Sequence, residues 1–298
     1  MGGPRLFVLK ASLLLAPLRR QHETLNPKLC TNKWNTEAKQ QLGTLLMITR
    51  VVGTLQVITR LQHRYQARGA KLGTMEASIT QEAQRSRLRE LVRTLPNDTS
   101  WEQAWQEGIS PWNLRGVTPA ITHLVKENNL REGRYLVPGC GLGYDVVALA
   151  SEKRHVVGLD ISKTSLEKAR ELASGNPNAQ FVEFVNADFF TYVPPAAAAA
   201  FDAIFDYTFF CALDPSLRPE WAKKTAELLA VDGELITLVY PLSEYEGGPP
   251  YAVSLQAYEE VLHPWGLTVS SCNDDIPSVE ARKGREKLVR WIRLAAKA

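Results

Sequence analysis

The chain has few residues of the kinds that build metal centres or disulfide frameworks. Its 298 residues include four cysteines and five histidines. The cysteines lie far apart without a C-x-x-C pair, and the histidines show no pairing typical of a metal site, which argues against structural zinc and a disulfide framework. We expect no bound metal, and we interpret the cysteines as small buried residues of a protein in a reducing compartment. They are Cys30, Cys140, Cys211 and Cys272.

Long apolar runs are also missing. No stretch reaches the ~18 uninterrupted apolar residues that a membrane-spanning helix needs. The nearest candidate, residues 45–58, contains Arg50. Residues 6–18 resemble the apolar part of a secretory signal, but Lys10 divides them and no small-residue cleavage site follows. We therefore predict that the protein does not associate with a membrane.

Acidic residues are scarce near the amino terminus. Residues 1–75 carry twelve Lys or Arg and two Glu, a net charge of +10, whereas the remainder of the chain carries −7. We interpret residues 1–75 as a basic extension that is disordered, cleaved or dispensable, and residues 76–298 as the functional domain. We expect a cytoplasmic protein, with import into an organelle through residues 1–75 as the alternative. A core of net charge −7 lacks the basic footprint of a nucleic-acid-binding protein.

A nucleotide-binding pattern occupies residues 133–163. A short apolar run leads into Gly139, Gly141 and Gly143, an apolar helical stretch follows, and a second apolar run ends on Asp160. Glycines in such a loop let the backbone turn sharply and approach a ligand closely. A carboxylate at the end of the second strand can accept hydrogen bonds from both hydroxyls of an adenosine ribose. The segment therefore predicts an adenosine-binding strand–helix–strand unit.

The glycine spacing indicates which nucleotide binds. The loop reads G-x-G-x-G rather than the dinucleotide pattern G-x-G-x-x-G. Asp145 follows the loop closely, where it would repel a second phosphate. Adenosine without phosphate favours S-adenosylmethionine as the cofactor. An NAD-dependent oxidoreductase shares the fold and is a competing hypothesis, although no plausible hydride-transfer partner is present.

Apolar runs alternate with helical segments along the rest of the chain. This alternation predicts an α/β fold, a doubly wound, Rossmann-like, mostly parallel sheet of seven strands with helices on both faces. Ligands of such sheets bind at the carboxyl ends of the strands. Asp160, Asp188, Tyr207 and Tyr240 fall at or near those ends. The predicted strands are 135–137, 156–159, 181–186, 201–210, 234–240, 267–272 and 288–294, and the predicted helices are 86–95, 120–128, 163–173, 218–229 and 251–261.

Six sequence motifs resemble those of the plant halide and thiol methyltransferases, which are relatives of the thiopurine methyltransferases. The resemblance runs from about Ser86 to the carboxyl terminus and leaves residues 1–75 outside. The motifs are W-x-x-x-W-x-x-G-x-x-P-W at 101–112, L-V-P-G-C-G at 136–141, V-V-G-L-D-I-S at 156–162, F-D-Y-T-F-F-C-A at 205–212, D-G-E-L-I-T-L at 232–238 and E-G-G-P-P-Y at 246–251.

The resemblance implies a class I, S-adenosylmethionine-dependent enzyme that methylates halide ions, thiocyanate, hydrosulfide or small thiols. It implies tryptophans that cover the cofactor, a glycine loop, a ribose carboxylate and a pair of residues beside the adenine. It also implies that Tyr240 lies at the substrate pocket, where we expect the catalytic contact. The expected cofactor-binding residues are Trp101, Trp105, Trp112, Gly139, Asp160, Asp188, Phe189 and Tyr207.

Methyl transfer from a sulfonium is an in-line displacement, so the protein contributes mainly by positioning the nucleophile. Halide and thiocyanate bring no proton, so no general base is required. We interpret Asp206 as a hydrogen-bonding residue at a strand end, and Arg282, Lys283, Arg285 and Lys287 as a solvated basic face.

Two further readings of the function stay open. The acceptor could be another small organic thiol or metabolite, or the protein could bind S-adenosylmethionine without catalysis. Leu142 and Tyr144 differ from the residues often found in relatives, which bears on substrate preference more than on activity. The sequence leaves the oligomeric state open, with a monomer among the options.

Overall fold

The computed structural model describes residues 80–196 and 198–293; the predicted extension, residues 1–75, lies outside them, as does Cys30. The strands are β1 (Gly133–Pro138), β2 (Arg154–Asp160), β3 (Val182–Asn186), β4 (Phe201–Tyr207), β5 (Leu229–Val239), β6 (Leu267–Asn273) and β7 (Lys287–Arg293). The helices are α1 (80–94), α2 (Asn97–Gln106), α3 (Pro119–Lys126), α4 (Tyr144–Leu149), α5 (Lys163–Ala173), α6 (Arg218–Leu228) and α7 (Leu255–Leu262).

The strands form one sheet with the order β3-β2-β1-β4-β5-β7-β6. Neighbours among β1 to β5 are parallel, whereas β7 runs antiparallel to both β5 and β6. The sheet order reverses between β1 and β4, which is where ligands of doubly wound folds bind. The predicted seven-stranded, mostly parallel, doubly wound sheet is confirmed.

Both faces of the sheet are covered. In β5, Leu235 and Val239 belong to one buried apolar cluster, whereas Ile236 and Leu238 belong to another. This period of two is that of a strand buried on both sides. Side chains of α6 and α7 join the first cluster, and those of α3 and α4 join the second. The apolar runs of the sequence therefore become the central layer of a three-layer domain.

Most element boundaries agree with the sequence pattern, and α5 has its predicted bounds. Residues 231–233 fall between the predicted helix 218–229 and the predicted strand 234–240, but they belong to β5. Phe201 pairs with Leu229 but Ala203 pairs with Glu234, so the intervening residues of β5 form a bulge. A Cβ on Gly233 would lie 2.8 Å from the Leu229 side chain, so glycine is what lets this bulge close tightly.

Other differences reflect local turns. The predicted fourth strand stops at Tyr207, and residues 210–212 form a 3₁₀ turn instead. The helix predicted from residue 251 begins at Leu255, because the E-G-G-P-P-Y segment forms a loop. The alanine-rich segment between Pro195 and β4 is non-helical at 196 and 198–200, since the prolines before it and the strand after it disfavour a helix.

None of the helices within the described ranges is long and apolar enough to cross a bilayer. Cys211 is buried and Cys140 is half-buried, but Cys272 is exposed on the edge strand β6. The interpretation of the cysteines as buried residues is therefore wrong for Cys272.

Asp206 links the end of β4 to α6 through hydrogen bonds. Its carboxylate accepts hydrogen bonds from the Trp221 indole nitrogen at 3.1 Å and from the Phe210 backbone nitrogen at 3.2 Å. The Phe210 ring stacks on Tyr258, with centroids 3.9 Å apart. Because Asp206 is 1% exposed, burial raises its pKa to about 7, and the two hydrogen bonds offset this only in part.

We predict that Asp206→Asn changes how stability depends on pH. A raised carboxyl pKa means that the native state binds the Asp206 proton more tightly than the unfolded state. The stability from Asp206 is therefore lost as pH rises from the unfolded value toward about 7. The neutral amide resembles the protonated acid, so thermal unfolding between about pH 5 and pH 8 should show the variant gaining stability relative to wild type. A constant difference across this range would contradict the assignment.

Candidate functional site

A cavity of ≈ 330 Å³ lies at the carboxyl ends of the parallel strands. Its wall includes the loop after β1, the ends of β2 and β5, and the segments after β3 and β4. Helices α1 and α2 and the segment before β7 complete the wall. The volume falls near the lower end of the ~300–1,000 Å³ range of small-molecule sites.

The glycine loop brings the backbone close to aromatic side chains. Gly139 has a φ of +59°, and a Cβ there would lie 2.5 Å from the Phe209 ring. Gly141 has a φ of +53°, and a Cβ there would lie 3.2 Å from the Trp105 ring. Both conformations favour glycine, and any side chain would press into the wall of the cavity. The two glycines therefore let the Phe209 and Trp105 rings pack directly against the loop backbone at the cavity wall.

Asp160 ends β2 beside this loop. One carboxylate oxygen accepts a hydrogen bond from the Gly141 backbone nitrogen at 2.8 Å, and the other accepts one from Ser162 nitrogen at 2.9 Å. The residue is 7% exposed, and burial raises its pKa although the two backbone hydrogen bonds oppose this. A carboxylate offers about four acceptor sites. Each oxygen can therefore still accept a hydrogen bond from a ligand hydroxyl.

The segment after β3 continues the same end of the cavity. Asp188 accepts a hydrogen bond from Phe190 nitrogen at 2.9 Å, which closes a tight turn. Phe189 is buried and meets Phe209 edge to face, with centroids 5.2 Å apart. A carboxylate and an apolar ring side by side suit the polar edge and the flat face of a purine. Asp160, Asp188 and Phe189 thus have the chemistry that adenosine requires.

Three tryptophans cover the cavity. Trp112 meets Trp101 and Trp105 edge to face, with ring centroids 5.5 Å and 5.6 Å apart. Trp101 and Trp105 share one face of α2, as their spacing predicts. Indole faces can attract a sulfonium by roughly 0.5–2 kcal/mol through cation–π contact. The cluster therefore suits a cofactor that carries a positive charge.

Glu102 anchors this tryptophan helix to the start of α5. Its carboxylate accepts hydrogen bonds from Ser162 Oγ at 2.7 Å and from both the backbone nitrogen and the hydroxyl of Thr164. Partial burial acts to raise the pKa of Glu102, but the Thr164 and Ser162 hydrogen bonds prevail and lower it to about 2. Glu102 therefore stays ionised at neutral pH and holds α2 against the sheet.

Arginines line the other end of the cavity. Arg282 is 6% exposed, donates to the Trp112 carbonyl at 2.6 Å, and places its guanidinium carbon 4.6 Å from the centroid of the Tyr240 ring. Arg285 donates to the Tyr240 hydroxyl at 3.4 Å. The expected solvated basic face is therefore wrong for Arg282, which is buried, while Lys283 is exposed and Lys287 pairs with Asp274.

One signal in the sequence could have located these arginines. The segment R-K-G-R immediately precedes β7, which runs antiparallel to β5. An antiparallel strand begins at the sheet edge where its parallel neighbours end. The basic segment therefore lies at the same edge as Tyr240. Predicting this requires knowing the direction of β7, which its apolar pattern does not encode.

Helix α1 also contributes to the cavity, which no sequence pattern indicates. Gln81, Arg85 and Leu88 of this helix line the cavity. Arg87 joins α1 to α2 through Glu107, with a nitrogen–oxygen distance of 2.8 Å. A helix directly before the tryptophan motif was predicted at 86–95, but without a role at the site. It forms part of the cover.

Eight of the nine site residues named from the sequence line this cavity: Trp101, Trp105, Trp112, Gly139, Asp160, Asp188, Phe189 and Tyr240. Tyr207 does not line it. The Tyr207 hydroxyl instead donates to Glu286 and accepts from Arg282.

Charge is separated along the cavity. Asp160 ends β2 and Asp188 follows β3, whereas Tyr240, Arg282 and Arg285 lie at β5 and β7. Strands β1 and β4 separate these two halves in the sheet order. Because neighbouring strands are ~4.8 Å apart, the ends of β2 and β5 are separated by roughly 14 Å. The cavity thus has a carboxylate end and a guanidinium end.

Known proteins resemble the part of the chain that contains most of the cavity. A sequence model of the thiopurine S-methyltransferase family matches residues 96–293. A probable thiol methyltransferase 2 of Arabidopsis thaliana is 52% identical over 206 residues, covering 68% of this chain and 90% of that protein. Thiocyanate methyltransferase 1 of Brassica oleracea is 50% identical over 205 residues, covering 68% of this chain and 89% of that protein.

Solved structures show the same fold. The 1,6-didemethyltoxoflavin-N1-methyltransferase of Burkholderia thailandensis, solved with S-adenosylhomocysteine, has a TM-score of 0.52 at 15% identity, covering 66% of this chain and 87% of that chain. The CcbJ methyltransferase of Streptomyces caelestis has a TM-score of 0.50 at 17% identity, covering 65% of this chain and 96% of that chain. At such identities the likeness concerns the fold alone.

We predict that Glu102→Ala loosens the tryptophan cover. Losing the charged acceptor should cost about 1.5–3 kcal/mol and lower the melting temperature by several degrees. Affinity for S-adenosylmethionine, measured by calorimetry, should fall with it. Gln103→Ala is the matched control, because Gln103 lies on the same helix and its side-chain amide donates to Glu107 rather than accepting from α5. Equal effects of both substitutions would contradict the anchoring role.

Proposed function

The chain belongs to the thiopurine S-methyltransferase family, and from this premise we propose that it methylates a small anion or thiolate, such as thiocyanate, hydrosulfide or a halide. The protein is an S-adenosylmethionine-dependent methyltransferase, as its family and its relatives at about half identity establish. The choice of acceptor is our inference, and the guanidinium end of the cavity is the observation that carries it.

Charge at that end suits an anionic acceptor. Arg282 and Arg285 contact Tyr240 there, and Arg85 adds a third guanidinium to the cavity wall. Among the described lining residues, the carboxylates are Asp160 and Asp188, which follow other strands. Guanidiniums stabilise an anion and lower the pKa of a nearby thiol, which favours the nucleophilic thiolate.

The size of the cavity favours a small acceptor. Its volume is ≈ 330 Å³, near the lower limit for sites that hold drug-sized molecules. An adenosine-containing cofactor would occupy most of this space. What is left beside Tyr240 suits an ion or a small thiol better than an extended metabolite.

The residues at the carboxylate end fit the cofactor. Asp160 would accept hydrogen bonds from the ribose hydroxyls, and Asp188 and Phe189 would flank the adenine. Trp101 and Trp112 would face the sulfonium. When bound, S-adenosylmethionine supplies an activated methyl group, and its transfer leaves neutral S-adenosylhomocysteine.

Tyr240 would hold the acceptor. Its oxygen accepts from Arg285, and the described contacts leave its hydroxyl hydrogen without an acceptor. That hydrogen can therefore point into the cavity and bond the anion without transferring a proton. Burial at 7% exposure removes water from the anion and preserves its nucleophilicity. Alignment of acceptor, methyl carbon and sulfur is then the main catalytic contribution, and no general base is needed.

The cofactor assignment is tested with Asp160→Asn. The amide keeps the size of the side chain but loses the charge that strengthens hydrogen bonds from the ribose. Calorimetry should show at least tenfold weaker S-adenosylmethionine binding, since such a bond contributes about 1.5–3 kcal/mol. Asp202→Asn is the control, because the Asp202 carboxylate accepts a hydrogen bond from the Arg134 backbone nitrogen at the opposite edge of the sheet. Unchanged affinity in a folded Asp160→Asn protein would remove the ribose role.

The acceptor assignment is tested with Tyr240→Phe. Purified protein is supplied with S-adenosylmethionine and with thiocyanate, iodide, hydrosulfide or an organic thiol, and volatile methylated products are measured by headspace gas analysis. Loss of one charge-assisted hydrogen bond should slow turnover of thiocyanate and iodide about ten- to a hundredfold while sparing cofactor affinity. A bulky organic thiol should be affected less. Wild-type protein that methylates none of the small anions would refute the proposed acceptor class.

A further inference from the structure

We propose that Tyr207 and Glu286 are positioning residues that fix the guanidinium of Arg282 at the acceptor end of the cavity. This inference rests on the proposed function, because it assigns a task to residues beside the acceptor. It replaces the expectation from the sequence that Tyr207 binds the cofactor.

Two hydrogen bonds and two aromatic rings hold the Arg282 guanidinium. One terminal nitrogen donates to the Trp112 carbonyl at 2.6 Å, and the other donates to the Tyr207 hydroxyl. The guanidinium carbon lies 4.6 Å from the Tyr240 ring centroid and 5.2 Å from that of Tyr207. A planar guanidinium that donates from both terminal nitrogens and lies over two aromatic rings is restricted in its orientation.

Glu286 supplies the opposite charge. It is 4% exposed, and its carboxylate accepts a hydrogen bond from the Tyr207 hydroxyl. A buried carboxylate requires a compensating charge, and Arg282 provides it across the tyrosine oxygen. Burial raises the pKa of Tyr207, the Arg282 charge opposes this, and Glu286 adds to it. The proton therefore stays on Tyr207, which accepts from Arg282 and donates to Glu286.

The Tyr207 hydroxyl thus uses its hydrogen bonds on Glu286 and Arg282. We therefore do not assign it to the cofactor. The residue does not line the cavity, although Thr208 and Phe209 after it do. Its position in the F-D-Y motif places it at the end of β4, and the direction of its side chain then carries it toward β5 and β7. There its ring meets Tyr240, with centroids 6.4 Å apart.

A fixed Arg282 has two consequences for the acceptor. A positive charge that is already ordered costs less rotamer entropy when the anion binds than a mobile one. Its contact with Trp112 also joins the acceptor end to the tryptophan cover. Loosening the Tyr207 side of Arg282, with the bond to Trp112 still in place, should therefore raise the KM for an anionic acceptor and leave the Asp160 end of the cavity unchanged.

The test compares three variants in full-length protein. Tyr207→Phe removes both hydrogen bonds of the hydroxyl, Glu286→Leu removes the carboxylate and leaves the tyrosine, and Glu286→Gln restores an oxygen that can accept from Tyr207. We expect Tyr207→Phe and Glu286→Leu to raise the thiocyanate KM about tenfold, with S-adenosylmethionine affinity by calorimetry changed less than about twofold. Glu286→Gln should recover most of the loss.

Tyr135→Phe is the matched control. Tyr135 is a buried tyrosine that donates to the Arg131 carbonyl at 2.8 Å, near the start of β1 and outside the cavity wall. It should lose stability without a change in KM. Should Tyr207→Phe fail to fold, the comparison of Glu286→Leu with Glu286→Gln decides the question by itself.

Three results would overturn the inference. S-adenosylmethionine affinity could fall as far as acceptor affinity does, which would return Tyr207 to the cofactor site. The thiocyanate KM could be unchanged in both disrupting variants, or Glu286→Gln could fail to recover it. Each is read only against a wild-type protein that methylates thiocyanate, so failure of the proposed function is distinguished from failure of the positioning role.

Discussion

The antiparallel pairing of β7 with β5 is the constraint on which the site depends. Six backbone pairs, from Glu234 opposite Ile292 to Val239 opposite Lys287, fix this register. They bring the start of β7 to the edge where the parallel strands end. Without this reversal, the basic segment before β7 would lie at the far edge of the sheet, and Tyr240 would have no guanidinium beside it.

This arrangement gives the cavity two chemically different ends. Parallel strands β2 and β3 deliver carboxylates to one end, whereas β5 and β7 deliver a phenol and guanidiniums to the other. The separation matters because the two substrates of methyl transfer have opposite needs: ribose hydroxyls require acceptors, and an anionic nucleophile requires donors and positive charge. A low-dielectric cavity strengthens both preferences, since buried charges are screened little by solvent.

The tryptophan cover joins the two ends. Glu102 holds its helix to the start of α5, close to Asp160, and Trp112 meets Arg282 through its carbonyl. A shift of the tryptophan cover would therefore change contacts at both ends of the cavity. Such coupling suits a reaction that must exclude water while two substrates are aligned.

Much of the fold follows from local patterns in the sequence. Apolar runs between helical segments locate the seven strands. The spacing of Trp101 and Trp105 places these two residues on one helix face. The glycine loop and Asp160 came together at the predicted edge because strand order in doubly wound sheets is strongly restricted. Their proposed contacts with the cofactor stay predictions.

What could not be predicted depends on tertiary contacts. Arg282 belongs to a run of basic residues, which is the pattern of a solvated surface. Its burial arises from the direction of β7 and from partners 75 and 170 residues away in sequence. The Tyr207 side chain was placed at the cofactor by its motif, yet its orientation depends on Glu286. The bulge in β5 cannot be predicted from Gly233, because glycine is as typical of a turn as of a bulge.

Diffraction from crystals grown with S-adenosylhomocysteine and iodide can locate the cofactor end and the acceptor end of the cavity. Iodide scatters anomalously and identifies its own position. We expect the adenosine against Asp160 and Asp188, and one strong iodide peak between the sulfur and the Tyr240 hydroxyl, within reach of Arg282 or Arg285. An iodide peak at the Asp160 end, or an adenosine against Tyr240, would contradict the division of the cavity into a cofactor end and an acceptor end.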